Sequence, residues 1–287
     1  MDLPLVVARF AHFAATMTLF GAALFAAALA PASIAGDLAP LMRRLGPPLA
    51  LAALASAAAW LCLVAREMAG GGFVGLSAVL TDTAFGRVWQ ARLALAAALV
   101  IASLRPDRRW RTVAALAGLA TASLGLVGHA ATQEGLLGLG HRLNRALHLT
   151  CASAWLGGLP PFLVCLGLFA KSPARRDALA AMMRFSAVGH VFVPALFLTG
   201  ALDVAMTSGA PPWPADTPYR AGLDGKILVF AAMAALALAN RYLLAPRVGR
   251  SPFAAPALAA GAAAEIALAL AALALVSAFA TFDPAAR

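Results

Sequence analysis

The residues best suited to chemistry in this sequence are its five histidines: His12, His129, His141, His148 and His190. Imidazole is a good ligand for copper, zinc, iron and nickel, and thiolate or thioether sulfur favours Cu(I). His141 and His148 are seven residues apart and share one face of a helix, with Cys151 a turn further along. Met17, Met68 and Met206 place soft sulfur on the same side of the chain's apolar segments. His12, His129 and His148 are the expected metal ligands, with His141, Cys151 and Met206 as weaker candidates. Each has a plainer alternative. His141 reads as a hydrogen-bonding group in an aqueous turn, Cys151 as a small buried residue, and the methionines as packing.

Three further polar groups lie deeper in apolar surroundings: His190, Asp203 and Glu265. An ionisable side chain inside a membrane segment costs free energy and usually faces a bundle interior or cavity. They are expected to form a path for a cation or proton, His190 and Glu265 making an inner station if they face each other. The competing reading is a structural hydrogen bond between helices. Asn240-Arg241 reads as an anchor at a helix end.

The elements that must position these groups are membrane helices. The chain has 287 residues, 62% hydrophobic and 12% charged, against about 25% charged in a typical soluble domain. Spans are expected near 4–30, 45–68, 88–104, 110–131, 143–169, 180–207, 224–245 and 255–281, each close to the roughly 20 apolar residues a crossing needs. The fold class is therefore all-α, a polytopic membrane protein of about eight helices. Alternate loops carry Arg43, Arg44, Arg105, Arg108, Arg109, Arg111, Lys171, Arg175, Arg176, Arg184, Arg241, Arg247 and Arg250, thirteen of the 22 basic residues. The positive-inside rule puts those loops in the cytoplasm and both termini outside. The first apolar run is too long for a signal peptide core and lacks a basic leader, so it reads as a retained span.

The two halves resemble each other. "RFAHFAATMTLFG" carries Arg9, His12 and Gly21; "RALHLTCASAWLG" carries Arg145, His148 and Gly157 at the same spacing. "TAFGRVWQAR" (Thr83 to Arg92) aligns with "TPYRAGLDGK" (Thr217 to Lys226), each a Thr, an aromatic residue and a cation nine residues after the Thr. Residues 1–136 and 137–287 are expected to be four-helix halves of one membrane domain, related by an axis along the membrane normal.

Several classes are excluded. The basic residues are spread between apolar runs, so the net charge of +10 does not indicate nucleic acid. Cys151 and Cys165 lie about 21 Å apart along one helix, beyond disulfide reach. There is no P-loop, dinucleotide fingerprint, HExxH or nucleophile–base–acid pattern, and an enzyme is not expected.

"LHLTCASAWLGGLPPFL", "MRFSAVGHVFVPALFLTGAL", "TPYRAGLDGKILVFAAMAALALANRYLLAPRV" and "AEIALALAALALVSAFATFDP" resemble the CopD family of copper-resistance and copper-uptake membrane proteins. "TAFGRVWQARLALAAAL" and "GHAAT" resemble its first half, so the likeness covers most of the chain. It implies an eight-span bacterial inner-membrane protein that moves copper from periplasm to cytoplasm, with lipid around it and a periplasmic CopC-type copper binder as partner. Carried over by position, His148 matches the family's histidine before Trp-Gly-Gly, His129 its Gly-His-Ala, Lys226 its cation before the seventh span and Glu265 its last-span acid. His190 has no such match. These 287 residues hold no methionine-rich motif and no CopC-like domain, which leaves the donor and the oxidation state of copper open. Two rival readings are a b-type haem protein, with His12 and His148 as axial ligands, and a non-transporting factor that hands copper to a respiratory oxidase.

Overall fold

The computed structural model describes residues 2–68, 75–105, 109–128, 133–171, 173–208 and 216–282, which are almost entirely helical. The helices are α1 (Leu3–Leu24), α2 (Ala35–Met68), α3 (Leu76–Asp82), α4 (Ala84–Leu104), α5 (Trp110–Ala122), α6 (Gly135–Lys171), α7 (Arg175–Ser208), α8 (Pro218–Ala239) and α9 (Ala254–Phe279). Seven helical stretches among the described residues are long and apolar enough to cross a membrane, so the chain is an all-α polytopic membrane protein. The expected fourth span is the short one. It is a 13-residue α-helix, α5, extended by a 3₁₀ turn over Ser123–Leu126.

Local chemistry sets the helix starts. The Asp2 side chain accepts from the Leu5 amide, and Pro4 occupies the first turn of α1. Thr83 Oγ1 accepts from the Gly86 amide at 2.8 Å and starts α4. Thr217 Oγ1 accepts from the Arg220 amide at 3.2 Å and starts α8. Pro31 ends the first helical run after a π-turn over Phe25–Leu29. Several helices begin earlier than expected, α6 by eight residues. Pro160 and Pro161 lie inside α6 without ending it.

Helix α1 packs against α2, α5, α6 and α9. Its contact with α6 is backbone on backbone. A Cβ on Gly157 would sit 2.7 Å from Gly21 Cα and 2.5 Å from Thr18 O, and one on Gly21 would sit 2.6 Å from Gly157 Cα. No larger residue fits either position at this separation. Small residues allow such approach where helix association in lipid depends on van der Waals packing. On one side of this crossing the core is aromatic. Trp60 meets Trp89 edge-on at 4.9 Å, and Phe85 stacks on Trp89 at 4.5 Å.

Candidate functional site

Two histidine sites flank the glycine crossing. The first holds His12, which is 2% exposed. Its Nδ1 lies 3.0 Å from Ala53 O and 3.2 Å from Ser56 Oγ. A carbonyl only accepts, so Nδ1 carries the proton and Nε2 holds a lone pair. That lone pair accepts from Arg92 Nη2. Arg92 is also buried, and neutral groups hold it. Nη1 donates to Ala120 O at 3.0 Å and Ser123 Oγ at 2.6 Å, and the guanidinium lies 5.0 Å from the Trp89 ring. Both nitrogens of His12 are therefore engaged, and no lone pair remains for a metal. The expected third ligand is sealed, and a haem coordinated by His12 and His148 would have to displace Arg92.

The second site is at the outward-predicted end of α6. His148 Nδ1 lies 3.0 Å from Thr199 Oγ1, which itself donates to Ala195 O at 2.6 Å. Thr199 therefore accepts from His148, and Nε2 is again the lone-pair nitrogen. Here it has no hydrogen-bond partner among the described residues. Asn144 Nδ2 donates to Thr199 O at 2.9 Å and helps to fix α7 against α6. Lys226 and Asp203 lie close enough to act on His148 electrostatically.

Asp203 belongs to this cluster. Its Oδ1 accepts from His141 Nε2 at 2.9 Å and lies 3.8 Å from Arg145 Nε. His141 is not in an aqueous turn as expected. It is fully buried, because α6 starts at Gly135 and carries the residue inward. Its Nδ1 faces Gln133 Oε1 at 2.9 Å, and Gln133 Nε2 donates to Met206 O at 2.9 Å. Met206 thus contributes a carbonyl here. Cys151 lies in the apolar core around Trp155. Among the described residues no three His, Cys, Asp or Glu side chains converge on one point suited to a metal ion. His129 lies outside the described residues.

At the place of the expected inner station is a cleft of about 670 Å³ walled by α6, α7, α8 and α9. His190 and Glu265 both line it, together with Met182 and Met183, but they hold different partners. Glu265, 4% exposed, accepts from Trp155 Nε1 at 2.9 Å and Asn240 Nδ2 at 2.7 Å. His190 is exposed. Its Nδ1 donates to Ser186 O at 2.8 Å, and its Nε2 lies 2.8 Å from the Tyr242 hydroxyl. Reading the sequence missed Arg92, Ser56, Thr199, Gln133, Trp155 and Tyr242, and took Asn240 for an anchor. The repeat alone pointed to Arg92, by pairing it with Lys226.

The membrane helices thus hold an open imidazole, His148, toward one end of α6 and a buried carboxylate, Glu265 of α9, bound by Trp155 further along α6. Residues 1–139 match the family described as copper resistance protein D-like, N-terminal domain, and residues 179–279 match copper resistance protein D. The chain is 37% identical over 250 residues to inner membrane protein YebZ of Escherichia coli (strain K12), covering 85% of each chain. It is 31% identical over 271 residues to copper resistance protein D of Pseudomonas syringae pv. tomato, covering 88% of this chain and 86% of that one. The chain belongs to the copper resistance protein D (CopD) family. No solved structure matches it.

Proposed function

We propose that this chain carries copper across the bacterial inner membrane, taking it at His148 on the periplasmic side and passing it toward the cytoplasm. The observation that carries the reading is the open Nε2 of His148 in a chain of this family. Thr199 fixes the tautomer that leaves this lone pair outward, a partner arrangement typical of metal-binding imidazoles. Trp155 is seven residues along the same face of α6, about 10 Å further in, and binds Glu265. Copper would pass from His148 to the cleft of Glu265 and His190, with Asp203 raising the local cation concentration at entry. His129 is the natural second ligand.

The same reading takes residues 1–136 and 137–287 as repeated halves with both termini periplasmic. Contact between the equivalent glycines Gly21 and Gly157, and the equivalent caps Thr83 and Thr217, support it. Helix α5 with its 3₁₀ turn reaches about 27 Å at 1.5 and 2.0 Å per residue, near the roughly 30 Å of hydrocarbon a fourth crossing needs. A periplasmic copper-binding protein would serve as donor. The test is copper uptake into inward-facing and outward-facing vesicles. Uptake by wild type from the periplasmic face, lost in His148→Ala and slowed in Glu265→Gln, is expected. Uptake unchanged in His148→Ala would refute the reading.

A further inference from the structure

Three consecutive residues hold three groups of the inner cleft that could carry a cation. Helix α8 runs on into a π-turn over Asn240–Leu244, closed by the Ala245 amide donating to Asn240 O five residues back. Asn240 Nδ2 donates to Glu265 Oε1 of α9 at 2.7 Å. Arg241 Nη1 donates to the Met183 sulfur of α7 at 3.5 Å. The Tyr242 hydroxyl lies 2.8 Å from His190 Nε2, also of α7. His190 Nδ1 donates to Ser186 O, so Nε2 is the lone-pair nitrogen and the hydroxyl donates to it. All six side chains line the one cleft.

π-turns of this kind are rare and occur mostly at functional sites. The groups covered on α7 suit a soft cation, because thioether and imidazole both bind Cu(I). Met183 and His190 are seven residues apart on one face of α7, about 10 Å along its axis. They are therefore two successive stations rather than one coordination sphere. Met183 is the nearer to Arg175 and Arg176 at the start of α7, the end expected in the cytoplasm.

The turn is held weakly at two of its three points. A thioether is a weak acceptor for Arg241. Asn240 Oδ1 is buried with no hydrogen-bond partner among the described residues, which raises the free energy of this arrangement. Asn240 also fits only because residue 261 of α9 is glycine, since a Cβ there would lie 2.2 Å from Asn240 Oδ1. Regular α-helical winding in place of the wide turn would rotate residues along it by up to about 100° and carry Arg241 and Tyr242 off α7 together.

We propose that His190 and Met183 are successive ligands for Cu(I) on its way to the cytoplasm, and that the π-turn is a latch that keeps them and Glu265 engaged until the cation arrives. This rests on the reading of the chain as a copper carrier. The latch gives Asn240, Arg241 and Tyr242 one shared role, and it makes Met183 the last station of the cleft.

The first test needs no metal. Peptide mass mapping of detergent-purified full-length protein follows His190 modification by diethyl pyrocarbonate and Met183 oxidation by hydrogen peroxide. Tyr242→Phe removes the hydroxyl on His190, and Gly261→Ala presses on Asn240. A turn that moves as one unit releases both groups in either variant, each reaction speeding at least about threefold, the effect of losing one hydrogen bond. His12 stays protected wherever the fold is kept. Met183 oxidation unmoved by Tyr242→Phe, or His190 modification unmoved by Gly261→Ala with His12 protected, overturns the latch. Tyr242→Phe, a change at an exposed side chain, decides the matter if Gly261→Ala unfolds.

The second test compares binding with passage. Competition with a colorimetric chelator measures the Cu(I) affinity that depends on His148, and vesicles measure Cu(I) uptake. Met183→Leu should leave that affinity at the wild-type level and slow uptake at least about tenfold. Uptake at the wild-type rate in Met183→Leu overturns the assignment of Met183. The expected reactivity pattern with neither Cu(I) binding nor uptake by wild type overturns the copper reading instead.

Discussion

Replacing Gly157 by alanine adds one methyl group at the backbone-on-backbone crossing of α1 and α6. The new Cβ would lie 2.5 Å from Thr18 O and 2.7 Å from both Gly21 Cα and Met17 O. Ordinary carbon contacts are about 3.5 Å or longer, so α1 and α6 must separate by about 0.8 Å at the crossing. A gap of that size forfeits a quarter to a half of the attraction of each contact it opens. Overpacking of a rigid contact typically destabilises by about 1–3 kcal/mol, and the upper part of that range applies because every opposing atom is backbone. Gly21→Ala should cost at least as much, since its Cβ would lie 2.2 Å from Ser153 O and 2.6 Å from Gly157 Cα. The two changes require one and the same separation, so the double variant should fall well short of the sum, with a coupling of about 1 kcal/mol. Equilibrium unfolding in mixed micelles, followed by tryptophan fluorescence, measures all three. Single variants within 0.5 kcal/mol of wild type (about the size of an ordinary surface change), or strictly additive costs, would refute the close-packed crossing.

Three other outcomes follow from the sites. Thr199→Val should lower His148-dependent copper affinity about 10–100-fold, the usual cost of losing an outer partner of a ligating imidazole, and Thr199→Ser should restore it in the same chelator competition. Trp155→Phe removes one of two donors to Glu265 and should destabilise the protein by about 1–3 kcal/mol in the same unfolding assay; an unchanged midpoint would show that this hydrogen bond contributes nothing. Thr83→Ala and Thr217→Ala should each cost about 1 kcal/mol through loss of a helix cap, and unequal losses would show that the two caps are not equivalent.

The helical membrane fold was legible because its signal is local. Apolar runs with few charges give away α1, α2, α4, α6, α7, α8 and α9 whatever surrounds them. The starts were less legible. "GLGHRLNR" has two glycines and three charged or titratable groups and resembles a turn, yet it is helical, because Gln133 and Asp203 satisfy His141 and Thr199 satisfies Asn144. Asp203 and Thr199 come from α7 and leave no periodic trace in this stretch. The same holds for the site. Five histidines and one deep glutamate are conspicuous in an apolar chain, but what their nitrogens and oxygens do depends largely on residues far away in sequence, such as Ala53, 41 positions from His12, and Trp155, 110 positions from Glu265. Arg92 is the instructive case. Its alignment with Lys226 could be read from spacing, whereas its closure of His12 could not.

The most direct test of the central claim is the copper content of copper-loaded, detergent-purified protein, measured by elemental analysis for wild type and His148→Ala side by side. The account predicts near-stoichiometric copper in wild type and its loss in His148→Ala. Copper retained at the wild-type level in His148→Ala would contradict it and move the capture site away from α6.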